Sequence, residues 1–186
     1  MAKIGKQNIR SFKNSIKYLK NEEWDKLRGS IDNYRDKLII TLLYSTGMRV
    51  GEFVKLRVEN IDFAERFITV PPENTKTREG RIIFAPMEVL NDLKVYLKLE
   101  KKRKGRVFNL TPRRIQQLLK KYSTRVTMQA TPHTLRHSHI VHSLLNRVAI
   151  SAIQKQVGHK RLTTTQSYSD FAPEQVREAY EQASRC

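Results

Sequence analysis

Apolar residues recur at helical spacing along most of the chain. Leu38, Ile39, Leu42 and Leu43 lie on one face of such a helix, and the pattern ends near Gly47. The same spacing predicts further helices at roughly 21–31, 50–56, 87–102, 112–125, 132–147, 150–157, 162–170 and 173–184. Most of the chain is therefore expected to be helical.

The pattern changes between residues 58 and 86, where β-branched and aromatic residues form short runs between polar turns. These runs are Asn60–Asp62, Phe67–Val70 and Arg81–Phe84, and each is typical of a short strand. We therefore predict a mostly α fold with one small three-stranded antiparallel sheet.

Length and composition limit the class of protein. The chain has 186 residues, of which 39% are hydrophobic, and this is enough for one domain with its own core. No apolar run approaches the roughly 18 residues of a membrane span, and the N-terminus has no signal-peptide-like apolar region. The lone Cys186 excludes an internal disulfide and a cysteine-based metal site. We expect a soluble, cytoplasmic protein without a membrane partner.

The charge of the chain is strongly unbalanced. There are 36 Lys and Arg against 18 Asp and Glu, which gives a net charge of +18. Between Lys94 and Arg125 the chain has twelve basic residues and one acid, Glu100. Such an excess favours a polyanionic partner, because basic side chains that neutralise phosphates release counterions. A membrane surface is the alternative, but no strongly amphipathic anchor helix is evident. Nucleic acid is therefore the expected partner.

Four short segments carry residue types that can do chemistry. They are TGMRVGE (46–52), TKT (75–77), HTLRH (133–137) and GHKRLTTTQSY (158–168). Taken singly, each has an ordinary structural explanation. Arg49 could pair with Glu52 at a helix end, for example, and Tyr168 could be a half-buried core tyrosine.

Together the segments supply what phosphodiester transfer requires. The reaction builds charge on the non-bridging phosphate oxygens, so its catalysis rests mainly on positioning and electrostatics. Arginine can bond two oxygens at once, lysine can protonate a leaving oxygen, and histidine can accept a phenol proton near neutral pH. Tyrosine has an ordinary pKa of about 10 and is a weak nucleophile without such neighbours.

On these segments the sequence resembles the tyrosine recombinases, also called phage-type integrases, and most closely their Xer-like members. The matching stretches are TGMRVGE, NTKTREGRIIFAP, PHTLRHS and QVGHKRLTTTQSYSDFAPEQV, within a resemblance that covers about residues 22 to 184. The resemblance implies the catalytic-domain fold of that family. It also implies a six-residue active site: Arg49, Lys76, His133, Arg136, His159 and Tyr168.

In the implied site, Arg49 and Arg136 clamp the scissile phosphate, and His159 donates a hydrogen bond to a non-bridging oxygen. Glu52 and His137 occupy positions that, in the family, support the site without doing chemistry.

The remaining three residues have implied roles in bond making and proton transfer. Tyr168 attacks to give a 3′-phosphotyrosyl enzyme, Lys76 protonates the leaving 5′ oxygen, and His133 helps to remove the phenol proton. The remaining nucleophile candidates among the tyrosines are Tyr122 and Tyr180. No metal or other cofactor is expected.

The implied function is site-specific recombination of double-stranded DNA through a Holliday junction. The implied assembly is a homotetramer formed on DNA from a protein that can be monomeric in solution, with the nucleoid as its location. Two alternatives stay open: DNA relaxation of the type IB topoisomerase kind, and a basic DNA-binding module without chemistry.

The sequence departs from the family in two places. Family members usually carry a separate N-terminal helical domain that clamps the other face of DNA, and we expect the 186 residues not to include this core-binding domain. We therefore expect residues 1–20 to be a basic arm or an interdomain linker and residues 21–186 to be the catalytic domain. The hairpin also reads Thr-Lys-Thr rather than a glycine-flanked lysine, so origin in a host genome or a mobile element stays open.

Overall fold

The computed structural model describes residues 17–75 and 78–159, and within these ranges the chain forms seven α-helices and three strands. The helices are α1 (Asn21–Gly29), α2 (Tyr34–Thr46), α3 (Val50–Phe53), α4 (Met87–Leu99), α5 (Pro112–Arg125), α6 (Pro132–Leu145) and α7 (Ile150–Val157). The strands are β1 (Ile61–Asp62), β2 (Phe67–Val70) and β3 (Arg81–Phe84). The predicted fold class is confirmed. The predicted helices at 162–170 and 173–184 lie outside the described residues.

Several helices end earlier than the sequence predicts. The helix predicted over 87–102 ends at Leu99, and the helix predicted over 132–147 ends at Leu145. In both cases a residue just beyond the end adopts a left-handed backbone, Lys101 with φ 51° and Arg147 with φ 63°. A left-handed residue stops an α-helix, and apolar periodicity does not reveal it.

Side-chain caps begin the helices that matter for the site. Asn33 accepts a hydrogen bond from the N–H of Asp36 at the start of α2 (3.0 Å). At the start of α6, the Thr131 hydroxyl accepts from the N–H of Thr134 (3.1 Å), and the Thr134 hydroxyl accepts from the N–H of Thr131 (3.3 Å). These bonds satisfy N–H groups that have no partner within the helix, so the first turn of α6 is firmly placed.

The sheet has the order β1-β2-β3, with antiparallel pairing throughout. Ile68 pairs with Ile83, and both side chains are buried on the inner face. Because side chains alternate along a strand, Arg81 lies on the same inner face as Ile83, two residues away. The first residue of β3 therefore directs a charged side chain towards the interior of the domain.

Helix α2 packs against α6, α4 and α1. Its residues Ile39, Ile40 and Leu42 are completely buried. At its end, Gly47 adopts a left-handed backbone (φ 62°), and a Cβ there would lie 2.6 Å from Cδ2 of His139 on α6. Glycine is therefore required both for the turn and for the close approach of the two helices.

The segment 17–20, which was expected to belong to a linker, packs along α6. The N–H of Leu19 donates to the buried Ser138 hydroxyl (2.8 Å), and the carbonyl of Lys17 lies 3.3 Å from Nδ1 of His137. Residues 1–16 lie outside the described residues. In the part of the chain that the structure describes, no helix has the length and apolar character needed to cross a bilayer.

Candidate active site

Among the predicted site residues that the structure describes, Arg136 is the most deeply buried, with 5% of its surface exposed. It lies on the second turn of α6. Its guanidinium donates to the carbonyl of Gly47 (2.6 Å), at the end of α2, and to the carbonyl of Val157 (2.7 Å), at the end of α7. Helix C-termini carry partial negative charge, so both ends stabilise this buried cation.

Arg49 precedes α3 and is partly exposed, with about a third of its side chain accessible (33%). One guanidinium nitrogen donates to Glu52 (3.2 Å), and the other donates to the carbonyl of Gly158 (3.2 Å). The pairing with Glu52, which was the ordinary structural explanation for Arg49, is present. This arginine therefore reaches the same end of α7 as Arg136.

A third arginine, Arg81, completes the contacts to this helix end. Its Nε donates to the carbonyl of Gln156 (3.0 Å). Arg81, Arg136 and Arg49 thus donate to three consecutive carbonyls, those of residues 156, 157 and 158. The last carbonyls of a helix have no partner within it, so these three bonds satisfy groups that would otherwise need water. We call this set of contacts the arginine clasp.

His159 is the residue after Gly158, whose carbonyl is the last of the three bound in the arginine clasp. Gly158 turns the chain with a left-handed backbone (φ 68°), and Gln154 holds the next residue through its side-chain amide, which donates to the carbonyl of His159 (3.0 Å). Burial, and then the charges of Arg136 and Arg49, lower the pKa of His159 to about 4. The imidazole is therefore neutral at pH 7 and can donate one N–H to a ligand.

His133 lies at the exposed start of α6, and it lines a cleft of about 430 Å³. The cleft is also lined by Arg49, Val50, Gly51, Glu52, Lys55, Asn74, Thr75 and Pro132. Asn74 and Thr75 directly precede Lys76 in the chain. The two residues that precede the predicted general acid in sequence therefore line this cleft.

The structure brings four of the six predicted site residues to one region: Arg49, His133, Arg136 and His159. Sequence separations of up to 110 residues divide them. Lys76 and Tyr168 lie outside the described residues, so their roles stay predictions. No group of three or more metal-ligating side chains occurs within residues 17–75 and 78–159.

Tyr122 was predicted as a competing nucleophile, and the structure contradicts this. Its side chain is completely buried, and its hydroxyl donates to Asp36 (2.9 Å). Burial, with the hydrogen bond to Asp36, raises the pKa of Tyr122 to about 12. A phenol that is buried away from any ligand and stays protonated up to such a high pH is not a nucleophile. Tyr180 lies outside the described residues.

Three residues of this region were not predicted from the sequence. Lys55 lines the cleft, Arg81 belongs to the arginine clasp, and Gln156 binds the backbone of β3 through its side-chain amide. Of these three residues, only Arg81 could have been found from the sequence. Strand alternation places it on the same face as the apolar Ile83, which indicates a charged side chain that points towards the interior. Lys55 and Gln156 have no local pattern that distinguishes them from surface residues.

The histidines of the domain predict a loss of stability in mild acid. Burial lowers the pKa of His137, His139, His142 and His159, to about 4 for His139 and His159. In the unfolded chain each takes up a proton near pH 6.5, so the unfolded state binds more protons and stability falls as pH drops from about 6.5 towards 4. Glu52 and other carboxylates whose pKa is lowered in the folded state reduce stability only below about pH 4.5, where carboxylates of the unfolded chain take up protons.

We therefore expect the urea midpoint of unfolding to fall steadily between pH 7 and pH 4.5. The substitution His139→Gln should flatten this dependence, because each such histidine contributes up to about 1.4 kcal/mol per pH unit within its window. Urea titrations of both proteins at several pH values measure the effect. A midpoint that is constant over this range, or an equal slope in the variant, would contradict the assignment.

The chain is similar to known proteins in sequence and in fold. Residues 17–175 match the model of the phage integrase family. The tyrosine recombinase XerA of Pyrococcus horikoshii is 38% identical over 176 residues, a match that covers 90% of this chain and 61% of that protein. The chain thus spans less than two thirds of the length of this relative.

Solved structures show the same relationship. A crystal structure of XerA recombinase aligns with a TM-score of 0.73 and 28% identity over 89% of this chain and 62% of the other. The catalytic domain of bacteriophage HP1 integrase has a TM-score of 0.69 and 24% identity, and the match covers 94% of that domain. The chain therefore belongs to the phage integrase family and has the catalytic-domain fold of the Xer-like tyrosine recombinases.

Proposed function

We propose that this chain is the catalytic part of a site-specific DNA recombinase that cuts and rejoins strands through Tyr168. One observation carries the proposal. Three separate segments of the chain supply the four residues: Arg49 and His133 line one cleft, and Arg136 and His159 lie with Arg49 at the end of α7. A surface with a merely structural role has no need to gather these residue types together.

The two arginines and His159 are suited to a phosphodiester. Arg49 is half-buried beside the cleft, so its guanidinium can meet a ligand while it keeps its backbone contact. Arg136 is buried and held by two helix ends, so it supplies fixed charge without reorganisation. A neutral His159 donates a hydrogen bond to a non-bridging oxygen and adds no further positive charge.

The proposed reaction exchanges one phosphodiester for another. The phenol oxygen of Tyr168 attacks the phosphorus, its proton passes to His133, and the bond to the 5′ oxygen breaks. Lys76 donates a proton to that oxygen, which leaves as a hydroxyl. A 5′-hydroxyl of a second strand then attacks the phosphotyrosine, and the same groups return their protons. The bond energy is conserved, so strand exchange needs no external energy source.

Double-stranded DNA is the proposed substrate. All of the twelve basic residues between Lys94 and Arg125 are exposed except Lys102, whose ammonium donates to the carbonyl of Val107 (2.9 Å). The whole chain has a net charge of +18, and these exposed side chains supply phosphate contacts of the kind that non-specific affinity requires. We also propose that the active unit is a homotetramer assembled on DNA and that the protein works on the nucleoid in the cytoplasm.

DNA relaxation without strand exchange would use the same residues, and no observation favours it over recombination. A basic module without chemistry is disfavoured by the site itself. Phosphate contacts alone do not require a neutral histidine and two anchored arginines at one helix end.

The substitution Tyr168→Phe tests the proposal directly. With a suicide substrate, whose cleaved end diffuses away, the wild-type protein should accumulate a covalent complex that survives a denaturing gel. The phenylalanine variant should form none, while its DNA affinity stays within about threefold, because affinity rests on many phosphate contacts. Attachment of the variant to DNA would place the nucleophile elsewhere.

Lys76 and Lys55 offer a matched comparison for the general acid. Lys76→Ala should slow cleavage by roughly a hundred- to ten-thousand-fold. A substrate with sulfur at the bridging 5′ position should restore most of this rate, since a thiolate leaves without a proton. Lys55→Ala removes a lysine from the cleft wall, and the sulfur should restore none of its loss. Rescue of Lys55→Ala instead would make Lys55 the general acid.

A further inference from the structure

Arg81 is an arginine of the arginine clasp to which the proposed chemistry assigns no role. Its side chain is 10% exposed, on the inner face at the start of β3. Three contacts fix it. Its two terminal nitrogens donate to the two oxygens of Glu52 (3.0 and 2.7 Å), and its Nε donates to the carbonyl of Gln156 (3.0 Å). These three hydrogen bonds hold the Glu52 carboxylate and the carbonyl of Gln156 in fixed positions relative to Arg81.

Glu52 connects Arg81 to Arg49. This carboxylate is 3% exposed, and it also accepts from the backbone N–H (3.0 Å) and the guanidinium (3.2 Å) of Arg49. A buried carboxylate needs compensating charge, and here two arginines share that task. Without Arg81, the full charge of Glu52 would fall on Arg49 and draw its guanidinium away from the carbonyl of Gly158 and from a phosphate in the cleft.

Arg81 also fixes the turn that carries His159. A Cβ on Gly158 would lie 2.9 to 3.1 Å from Cδ, Nε and Cζ of Arg81, so the arginine lies flat against the glycine backbone. Two residues before Gly158, the side-chain amide of Gln156 accepts a hydrogen bond from the N–H of Phe84 and donates one to its carbonyl, both at 2.9 Å. Strand β3 and the end of α7 are therefore joined at two adjacent points.

We infer that Arg81 is a positioning residue, which orients Arg49 through Glu52 and His159 through Gly158. This inference rests on the proposed function, since it assigns Arg81 to the same cleavage reaction. Because Arg81 is buried, its effect falls on the rate of cleavage and not on DNA affinity. A small displacement of aligned catalytic groups is enough to reduce a rate by roughly a hundredfold.

Single-turnover cleavage of the suicide substrate at saturating protein tests this role. Arg81→Met should reduce the rate by about a hundredfold or more, with DNA affinity within about threefold. Arg81→Lys keeps the charge but cannot bond both oxygens of Glu52 and the carbonyl of Gln156 together, so we expect about a tenfold loss with an intact fold. Arg66→Met is the control, since it removes an exposed arginine just before β2 and should cleave like the wild type.

A double variant separates positioning from a merely structural role. In Arg81→Met, the uncompensated Glu52 captures Arg49, so the added substitution Glu52→Gln should restore at least about tenfold of the lost rate. A double variant no faster than Arg81→Met would contradict the coupling. If Arg81→Met does not fold, Arg81→Lys decides, and a wild-type rate in that variant would overturn the inference.

A measurement without DNA keeps the inference independent of the proposed function. The protein has five histidines, and NMR titration of their ring protons, assigned with His159→Gln, gives the pKa of His159. Arg81→Lys should raise this pKa from about 4, because release of the turn admits water, while Arg66→Met should leave it unchanged. An unchanged pKa in Arg81→Lys would show that Arg81 does not hold the turn. A wild-type protein that never cleaves DNA would instead refute the proposed function alone.

Discussion

Three arginine side chains that donate to three consecutive carbonyls at the end of α7 determine how this site is built. They come from β3, from the loop before α3 and from α6, so the clasp gathers elements that lie far apart in the sequence. The helix end needs donors for its carbonyls, and the buried guanidiniums need acceptors. One set of bonds meets both needs and places Arg49, Arg136 and His159 beside the cleft. The fold and the candidate site are therefore stabilised by the same contacts.

Much of this fold was predictable from local pattern. The apolar spacing in residues 34–46, the alternation in 67–70 and 81–84, and a threonine before a proline at 111–112 each specify an element through its immediate neighbours. Helix ends were less predictable where a non-glycine residue turns left-handed, as Lys101 does. Such a turn is stabilised by the packing around it, which short-range periodicity does not encode.

The candidate site was predictable in its residue types but not in its supports. Arg49, His133, Arg136 and His159 were proposed from a resemblance of motifs, and the structure places them together. The contact of Arg81 with Gln156 joins residues 75 positions apart, and that of Arg49 with Gly158 joins residues 109 apart. The spacing of residues along the chain does not predict pairs of residues this far apart. The burial of Tyr122, which removes it as a nucleophile, likewise depends on a helix packed from a distant part of the chain.

We propose that chemistry at this cleft proceeds through a covalent bond between DNA and Tyr168. Trypsin digestion of the covalent complex, followed by mass spectrometry after nuclease trimming, identifies the attached residue. Cleavage after Arg161 and Arg177 gives one peptide with Tyr168, while Tyr180 falls in the next peptide, residues 178–185. We expect a nucleotide remnant on the 162–177 peptide. A remnant on 178–185, or on any other peptide, would contradict it.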